Sequence, residues 1–282
     1  MAKRFFETKL HAQRVRSTLK AADGNSPSTR VDKEIEGLVV KTMLKQCPWV
    51  AITAEEKGEG KRRTHGQLSS NWDVIIDGLD GTKNFLAGIP LCVVGITVAY
   101  NGEFVYAAVG NPFDGPDGTL TFGELGSGAF LAPLTNLKGE ERIHVSRRRD
   151  RSRFTAILDG LHNKATGSPA ALFKDALRRL GVQDHREMGS TILGGTLVAH
   201  GGVELCVSHA IGGMWDYAPW SVIVPEAGGK TTSPRYIPKG NDPQVVLATN
   251  GISHQLFAKF VEQYYTSNYV GFRGAVAERR KK

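Results

Sequence analysis

Residues 72–85 read WDVIIDGLDGTKNF, an apolar run that leads into closely spaced acidic residues. Residues 74–76 predict a buried strand that ends at Asp77. A turn is expected after Asp77, and it would bring Asp80 back within reach of the first carboxylate. The spacing therefore predicts two carboxylates that can share bound cations.

Gly81 and Thr82 follow the second aspartate, where a new helical turn can start. Glycine permits close backbone approach, threonine can cap a helix, and the free N–H groups of a first helical turn suit a phosphate. Taken by itself, the spacing also fits a capped strand–turn–helix with two solvated aspartates.

Two other acidic groups also stand at a strand end or near a helix start. Glu55 and Glu56 follow a short predicted strand at residues 50–53, and Asp216 lies beside Trp215. Strand ends in α/β folds face the crevice where ligands bind. Carboxylates that converge there repel one another unless a cation lies among them, and Mg²⁺ prefers oxygen ligands. A His/Cys set suited to zinc is missing from the sequence.

The order of predicted elements indicates an α/β fold of stacked layers. Helices are predicted to about residue 22 and over residues 31–43, 169–180, 191–199, 215–227 and 252–264. Strands are predicted over residues 50–53, 74–76, 91–100, 103–110, 119–122, 128–131, 154–158, 203–207 and 245–248, with a hairpin turn at Asn101-Gly102. We expect one domain over residues 1–282, with subdomains of about 1–145 and 146–270 and a basic tail at 271–282.

The composition is that of a folded soluble protein. The chain has 282 residues, of which 40% are hydrophobic and 23% charged, and no apolar run approaches the ~20 residues of a membrane span. The N-terminus lacks an apolar signal region, so we expect a cytoplasmic protein with no membrane partner. Three cysteines exclude a disulfide framework.

The formal net charge of +8 comes largely from short basic runs, which are typical of solvated loops and tails. A nucleic-acid surface would need interleaved aromatic residues or a known binding module, and neither is present. A nucleic-acid partner is therefore not expected. A positive field favours small anionic substrates, phosphate esters included.

Several motifs together resemble the inositol monophosphatase family. They are ITAEE at residues 52–56, the stretch at 72–85, WDYA at 215–218 and EAGG at 226–229, with STRVD at 28–32 upstream. The resemblance runs in order from about residue 26 to residue 248. It implies a Mg²⁺-dependent, often lithium-sensitive phosphomonoesterase, usually a homodimer. The implied fold is the layered αβαβα sandwich of inositol monophosphatase and fructose-1,6-bisphosphatase.

The resemblance also implies the metal ligands. Glu55, Asp77 and the carbonyl of Leu79 would hold a first Mg²⁺. Asp77, Asp80 and Asp216 would hold a second. Two or three ions are expected in each active site.

The same likeness implies the catalytic groups. Glu55 would act through the first metal, and Asp32 and Thr82 would order the attacking water. Glu56 would lie near a third, weaker metal. The backbone N–H groups of Gly81 and Thr82 would receive the phosphate.

Asp80, Asp216, Ser190 and His209 complete the expected substrate contacts. Ser190 opens a predicted helix, where a plain N-cap role is the alternative to a substrate contact. His209 stands where inositol-specific members commonly have an acidic residue that grips a substrate hydroxyl. Gly78 replaces the usual proline between Asp77 and Leu79, so the turn loses a φ restraint.

The expected substrate is inositol 1-phosphate or a related small phosphate ester. Histidinol phosphate, fructose 1,6-bisphosphate and 3′(2′),5′-bisphosphate nucleotides are alternatives, because related families share the metal motifs. A catalytically silent binding or scaffold relative is the alternative of a different class. A nucleic-acid-binding protein is a third hypothesis and rests on charge alone.

Overall fold

Two β-sheets and the helices between and around them form the protein. The structure is a computed structural model that describes residues 17–19, 27–58, 65–67, 69–159, 170–210, 213–232 and 244–268. Within these residues, one sheet has eight strands in the order β10-β9-β8-β7-β6-β5-β3-β4, and the other has five in the order β12-β11-β13-β15-β14. A separate two-stranded pair, β1 and β2, precedes them.

The strands have the following bounds. They are β1 Ser17–Leu19, β2 Pro27–Thr29, β3 Ala51–Ala54, β4 His65–Gly66, β5 Trp72–Asp80, β6 Val93–Tyr100, β7 Glu103–Asn111, β8 Thr119–Glu124, β9 Gly128–Pro133, β10 Glu141–Arg142, β11 Thr155–Asp159, β12 Asp184–Arg186, β13 Leu205–Ala210, β14 Lys230–Thr231 and β15 Gln244–Thr249.

The helices are α1 Arg30–Gln46, α2 Glu55–Gly58, α3 Thr82–Ala87, α4 Ala170–Arg179, α5 Thr191–Ala199, α6 Ala218–Glu226 and α7 His254–Asn268. Short 3₁₀ turns lie at Leu137–Gly139, Arg151–Arg153 and Met214–Asp216. Among the helices that the structure describes, none combines the length and the apolar character that a membrane crossing requires.

An antiparallel meander from β5 to β9 makes up most of the eight-stranded sheet. Asn101 and Gly102, with φ of 51° and 83°, form the tight turn that joins β6 to β7. β3 pairs with β5 in parallel, so the two strands end at the same edge of the sheet. That edge carries the acidic motifs.

The end of β5 differs from its prediction. The strand does not stop at Asp77 but continues to Asp80 through a β-bulge. Asp77 pairs with Gly95 and Asp80 with Val93, so three steps on β5 match two on β6. Because side chains alternate along a strand, residues three apart would face opposite sides, and the extra residue returns Asp80 to the side of Asp77.

The hydrophobic clusters define five layers. Helix α1 covers the outer face of the first sheet through residues such as Val40, which packs with Ile52 and Ile76. Helices α5 and α6 lie between the two sheets, and Trp220 of α6 is a large buried member of that cluster. Helices α4 and α7 cover the far face of the second sheet. The predicted layered α/β sandwich is confirmed.

Two predicted helices are changed. Residues 17–19 form strand β1, not the end of a helix that reaches residue 22, and the rest of that segment lies outside the described residues. The helix predicted over 215–227 is a 3₁₀ turn at Met214–Asp216 followed by α6 at Ala218–Glu226. The basic tail at 271–282 lies outside the described residues, and the subdivision near residue 145 stays a prediction.

Candidate active site

The parallel pairing of β3 and β5 brings the first two acidic motifs together. Ala54 lies opposite Ile76, so Glu55 and Asp77 come next at the same edge of the sheet. Glu55 begins the short helix α2 and is half-buried, while Asp77 is 2% exposed. The two carboxylates therefore emerge side by side from adjacent strand ends.

Asp77 is the electrostatic centre of the site. Burial, reinforced by the nearby carboxylates of Glu55, Asp80 and Asp216, raises the pKa of Asp77 well above its ordinary value. Its Oδ1 accepts a hydrogen bond of 2.9 Å from the backbone N–H of Leu79. Four acidic residues from three separate segments thus meet in one place.

Asp80 is held from the opposite side by the start of α5. Its Oδ2 accepts hydrogen bonds from the Ser190 hydroxyl at 2.6 Å and from the Ile192 N–H at 2.7 Å. Burial raises the pKa of Asp80 to about 6 against the lowering effect of these bonds. Ser190 occupies the N-cap position of α5 but makes no side-chain capping bond there, so its hydroxyl serves Asp80 instead.

Asp32 and Thr82 form a second polar pair at the site. The Thr82 hydroxyl lies 2.8 Å from Asp32 Oδ1 and 3.0 Å from the Leu79 carbonyl oxygen. The other oxygen of Asp32 accepts the Thr29 N–H at 3.0 Å in a capping box that begins α1. Burial raises the pKa of Asp32, and the hydrogen bonds from Thr29 and Thr82 oppose that rise. The helix start fixes Asp32, and Asp32 fixes Thr82.

Glu56 faces a different set of partners. The Ser28 hydroxyl donates to Glu56 Oε2, and the Glu56 N–H donates to Glu36 Oε2 at 2.8 Å. The charge of Glu56 also contributes to raising the Asp32 pKa, so Glu56 borders the site on the α1 side.

Gly81 has a backbone that only glycine adopts easily. Its φ is 90°, and a methyl group there would lie 2.6 Å from the Leu91 carbonyl oxygen and 3.1 Å from Cys92 Cβ. The turn therefore needs glycine for both conformation and space, and Thr82 follows as the first residue of α3.

Asp216 and His209 come from the second sheet and the 3₁₀ turn beyond it. Asp216 is half-buried, and its Oδ2 accepts the Gly213 N–H at 3.3 Å. His209 lies in β13 with its backbone opposite Val245, and its side chain lies outside the described part of the structure. The predicted substrate contact of His209 stays a prediction.

Asp159 also belongs to this region, although the sequence motifs did not predict it. It ends β11, is 4% exposed, and accepts the N–H groups of Met188 at 2.9 Å and Gly189 at 2.8 Å. Burial raises the pKa of Asp159 to about 6. The available signal was the same as for Asp77, an acidic residue directly after an apolar strand.

The donor set fits a hard divalent cation in its chemistry. It consists of carboxylate oxygens with a backbone carbonyl nearby. Burial raises the Asp77 pKa, repulsion from the neighbouring carboxylates raises it further, and a cation would relieve that repulsion. Within the part of the chain that the structure describes, no three His, Cys, Asp or Glu side chains already stand in an arrangement that could hold a metal. Asp77 turns Oδ1 to the Leu79 N–H, and Asp80 turns Oδ2 to Ser190 and Ile192, so protein donors orient both carboxylates.

The acidic cluster predicts a pH dependence of stability in the presence of a chelator. Because the folded-state pKa of Asp80 is raised from 3.8 to about 6, the folded protein holds a proton that the unfolded chain has lost between these values. That stabilisation is full below pH 3.8 and disappears as the pH rises through about 6. Asparagine at this position does not titrate. The free energy of unfolding of Asp80→Asn, relative to that of wild type, should therefore rise by up to about 3 kcal/mol between pH 4 and pH 7.

Urea unfolding of both proteins in EDTA at several pH values measures this difference. A difference that stays constant from pH 4 to pH 7 would show that Asp80 carries no raised pKa.

Known proteins resemble this chain over nearly its whole length. Residues 2–266 match the sequence profile of the inositol monophosphatase family. The chain is 31% identical over 244 residues to the Nus factor SuhB of Xylella fastidiosa, with 83% of this chain and 82% of that protein covered. It is 29% identical over 254 residues to the fructose-1,6-bisphosphatase/inositol-1-monophosphatase of Thermotoga maritima, with 90% of each covered.

A solved structure supports the same assignment. The extragenic suppressor protein suhB of Bartonella henselae superposes with a TM-score of 0.73 at 26% identity, with 90% of this chain and 92% of that chain covered. The fold, the acidic motifs and the matched residues agree, and the chain belongs to the inositol monophosphatase family.

Proposed function

We propose that the protein is a Mg²⁺-dependent phosphomonoesterase that hydrolyses a small phosphate ester with water as the nucleophile. The observation that carries this proposal is the convergence of Glu55, Asp77, Asp80 and Asp216, where burial and the three neighbouring like charges raise the Asp77 pKa. Such a cluster is unfavourable by itself and favourable around divalent cations. Family membership supports the same chemistry.

The metal ligands proposed are those that the family resemblance implies. Glu55, Asp77 and the Leu79 carbonyl would hold one ion, and Asp77, Asp80 and Asp216 a second, with Glu56 near a third. When bound, such ions acidify water and neutralise charge on a phosphate ester. The remaining steps belong to the chain's own groups.

Asp32 and Thr82 are proposed to receive the proton of the attacking water. The Thr82 hydroxyl lies 2.8 Å from Asp32 Oδ1, so it can pass its proton to that oxygen while its own oxygen accepts from water. The raised pKa of Asp32 suits it to accept a proton. The N–H groups of Gly81 and Thr82 would bind the phosphate oxygens.

Inositol 1-phosphate is the first candidate substrate. The family description and the name of the Thermotoga relative support it, and the same name supports fructose 1,6-bisphosphate. Histidinol phosphate and 3′(2′),5′-bisphosphate nucleotides are the other candidates. Ser190 and His209 are the proposed contacts to the rest of the substrate.

A phosphate-release assay on these four substrates tests the proposal. Release is expected with Mg²⁺, a loss of at least about a hundredfold with EDTA, and recovery when Mg²⁺ is returned. Asp80→Asn should remove activity, while Asp175→Asn, a change in an exposed ion pair on α4, should retain it. Purified protein that releases no phosphate from any substrate with Mg²⁺ would contradict the enzyme and favour the silent relative.

A role as a Nus factor is the second candidate function. The observation that favours it is the name of the Xylella relative, which is 31% identical to this chain. The net charge of +8 is compatible with an anionic macromolecular partner. Salt-sensitive binding of an oligonucleotide without hydrolysis of phosphate esters would support this candidate over the first.

A homodimeric assembly and inhibition by lithium are proposed on the family resemblance. A cytoplasmic location is proposed as a third property. Light scattering, the assay above with added lithium, and cell fractionation would measure them in turn.

A further inference from the structure

Asp159 is a buried acid whose two oxygens have very different surroundings. Oδ1 accepts the N–H groups of both Met188 and Gly189, at 2.9 and 2.8 Å. Oδ2 is buried and has no hydrogen-bond partner within the described structure. Because one carboxylate oxygen accepts two consecutive backbone N–H groups, Asp159 fixes the path of the backbone at residues 188–189.

The backbone fixed in this way leads directly to Asp80. Ser190 and Ile192 follow the anchored residues, and both donate to Asp80 Oδ2, at 2.6 and 2.7 Å. Ser190 is 1% exposed, so its hydroxyl has little freedom to turn elsewhere. The position of Asp80 therefore depends on a segment that Asp159 holds.

Asn84 of helix α3 holds the same segment from the other side. Its Nδ2 donates to the Met188 carbonyl at 2.7 Å and to the Leu91 carbonyl at 2.8 Å. Gly189, with φ of 68°, passes under this amide, and a methyl group there would lie 3.2 Å from it. Residues 188–189 are thus held by Asn84 of α3 and by Asp159 at the end of β11, and Asp159 supplies the negative charge.

We propose that Asp159 is a positioning residue for Asp80. It anchors the backbone at residues 188–189 so that Ser190 and Ile192 orient the Asp80 carboxylate. The consequence for metal binding and turnover rests on the proposed function, whereas the consequence for the backbone does not. Asp159 itself need not touch substrate.

Amide hydrogen exchange of the full-length protein in EDTA tests the backbone step without any activity. In Asp159→Ala, exchange at Ile192 N–H should be about tenfold faster or more, because its anchor is lost three residues before it. Asp159→Asn keeps an oxygen that can accept both N–H groups, but a neutral amide is the weaker acceptor, so about a threefold increase is expected.

Glu204→Gln provides the matched control. Glu204 is fully buried and accepts the Thr155 N–H at 2.9 Å at the opposite end of β11, away from Asp80. Its replacement should lower the thermal midpoint and leave exchange at Ile192 unchanged. Unchanged exchange in both Asp159 variants, or an equal rise in Glu204→Gln, would overturn the proposal. Should Asp159→Ala not fold, Asp159→Asn decides by the same comparison.

The consequence for the site is measured at a temperature where all variants are folded. Calorimetric titration should show Mg²⁺ binding weaker by about 10- to 100-fold in Asp159→Ala, the usual effect of losing a residue that supports a ligand. KM for substrate should change less than the Mg²⁺ requirement. Wild type that binds no Mg²⁺ and releases no phosphate would remove the proposed function, while the exchange result would still decide the positioning role.

Discussion

Asp77→Asn is expected to lower kcat/KM for phosphate release by about a thousandfold or more. Asp77 is 2% exposed and lies where Glu55, Asp80 and Asp216 all act on its charge, so it is the carboxylate proposed to serve both metals. Losing several kcal/mol of charge stabilisation in the transition state corresponds to this factor. The asparagine oxygen can still accept the Leu79 N–H, which keeps the local backbone in place.

Asp73→Asn is the matched control for that loss. Asp73 lies on the same strand, is 1% exposed and accepts from the Thr53 hydroxyl at 3.2 Å, but it stands at the start of β5, away from the site. We expect it to retain kcat/KM within about threefold of wild type after correction for the folded fraction. Equal losses in both variants would indicate that buried charge on β5 matters only for folding.

Gly78→Ala is expected to destabilise the protein by about 1–3 kcal/mol and to lower activity with it. A methyl group at Gly78 would lie 2.7 Å from the Asp32 carbonyl oxygen and 3.3 Å from the Glu36 N. Both atoms belong to the backbone of α1, so the helix itself must move. Since Asp32 reaches Thr82 from that helix, kcat should fall by about tenfold.

Gly37→Ala on the same helix is the control for this change. Nothing lies within 4 Å of a methyl group there, so alanine should stabilise α1 by about 0.5–1 kcal/mol. Urea unfolding and the phosphate-release assay measure both variants. A Gly78→Ala protein as stable and active as wild type would show that α1 does not need this close approach.

The close packing at Gly78 gives a structural reason for the glycine that replaces the family's usual proline. From the sequence, glycine in place of the family's usual proline appears only as a lost φ restraint. In the structure, the absent side chain lets α1 lie against β5, which places Asp32 beside Thr82. Sequence periodicity carries no information on how closely two backbones approach, so this role was not predictable.

The acidic motifs were found from sequence because a carboxylate after an apolar strand is a local pattern. The way Asp77 and Asp80 come to share a face was not, since it depends on pairing with β6 and a bulge in place of a turn. Trp72 shows the same limit. Tryptophan is a large aromatic residue that is usually buried, yet Trp72 is 39% exposed and packs on Tyr100 with ring centroids 4.5 Å apart.

Contacts between distant segments explain the remaining differences. The Ser190 hydroxyl would cap its own helix by sequence rules, but Asp80, 110 residues away, accepts it. Asp159 carries the same signal as Asp77, but its partners at residues 188–189 come from a loop that no pattern connects to it. The layered fold and the carboxylate metal ligands can be predicted from the sequence. The groups that orient those carboxylates can be identified only in the tertiary structure.

Anomalous diffraction from crystals soaked with Mn²⁺ and phosphate is the most direct measurement of whether distant acidic segments hold divalent metal. Manganese prefers the same oxygen ligands as Mg²⁺ and can be located by its anomalous signal. Peaks within coordination distance of Glu55 and Asp77, and of Asp77, Asp80 and Asp216, are expected, with phosphate at Gly81 and Thr82. Manganese found only elsewhere, or absent from this cluster at saturating concentration, would contradict the account.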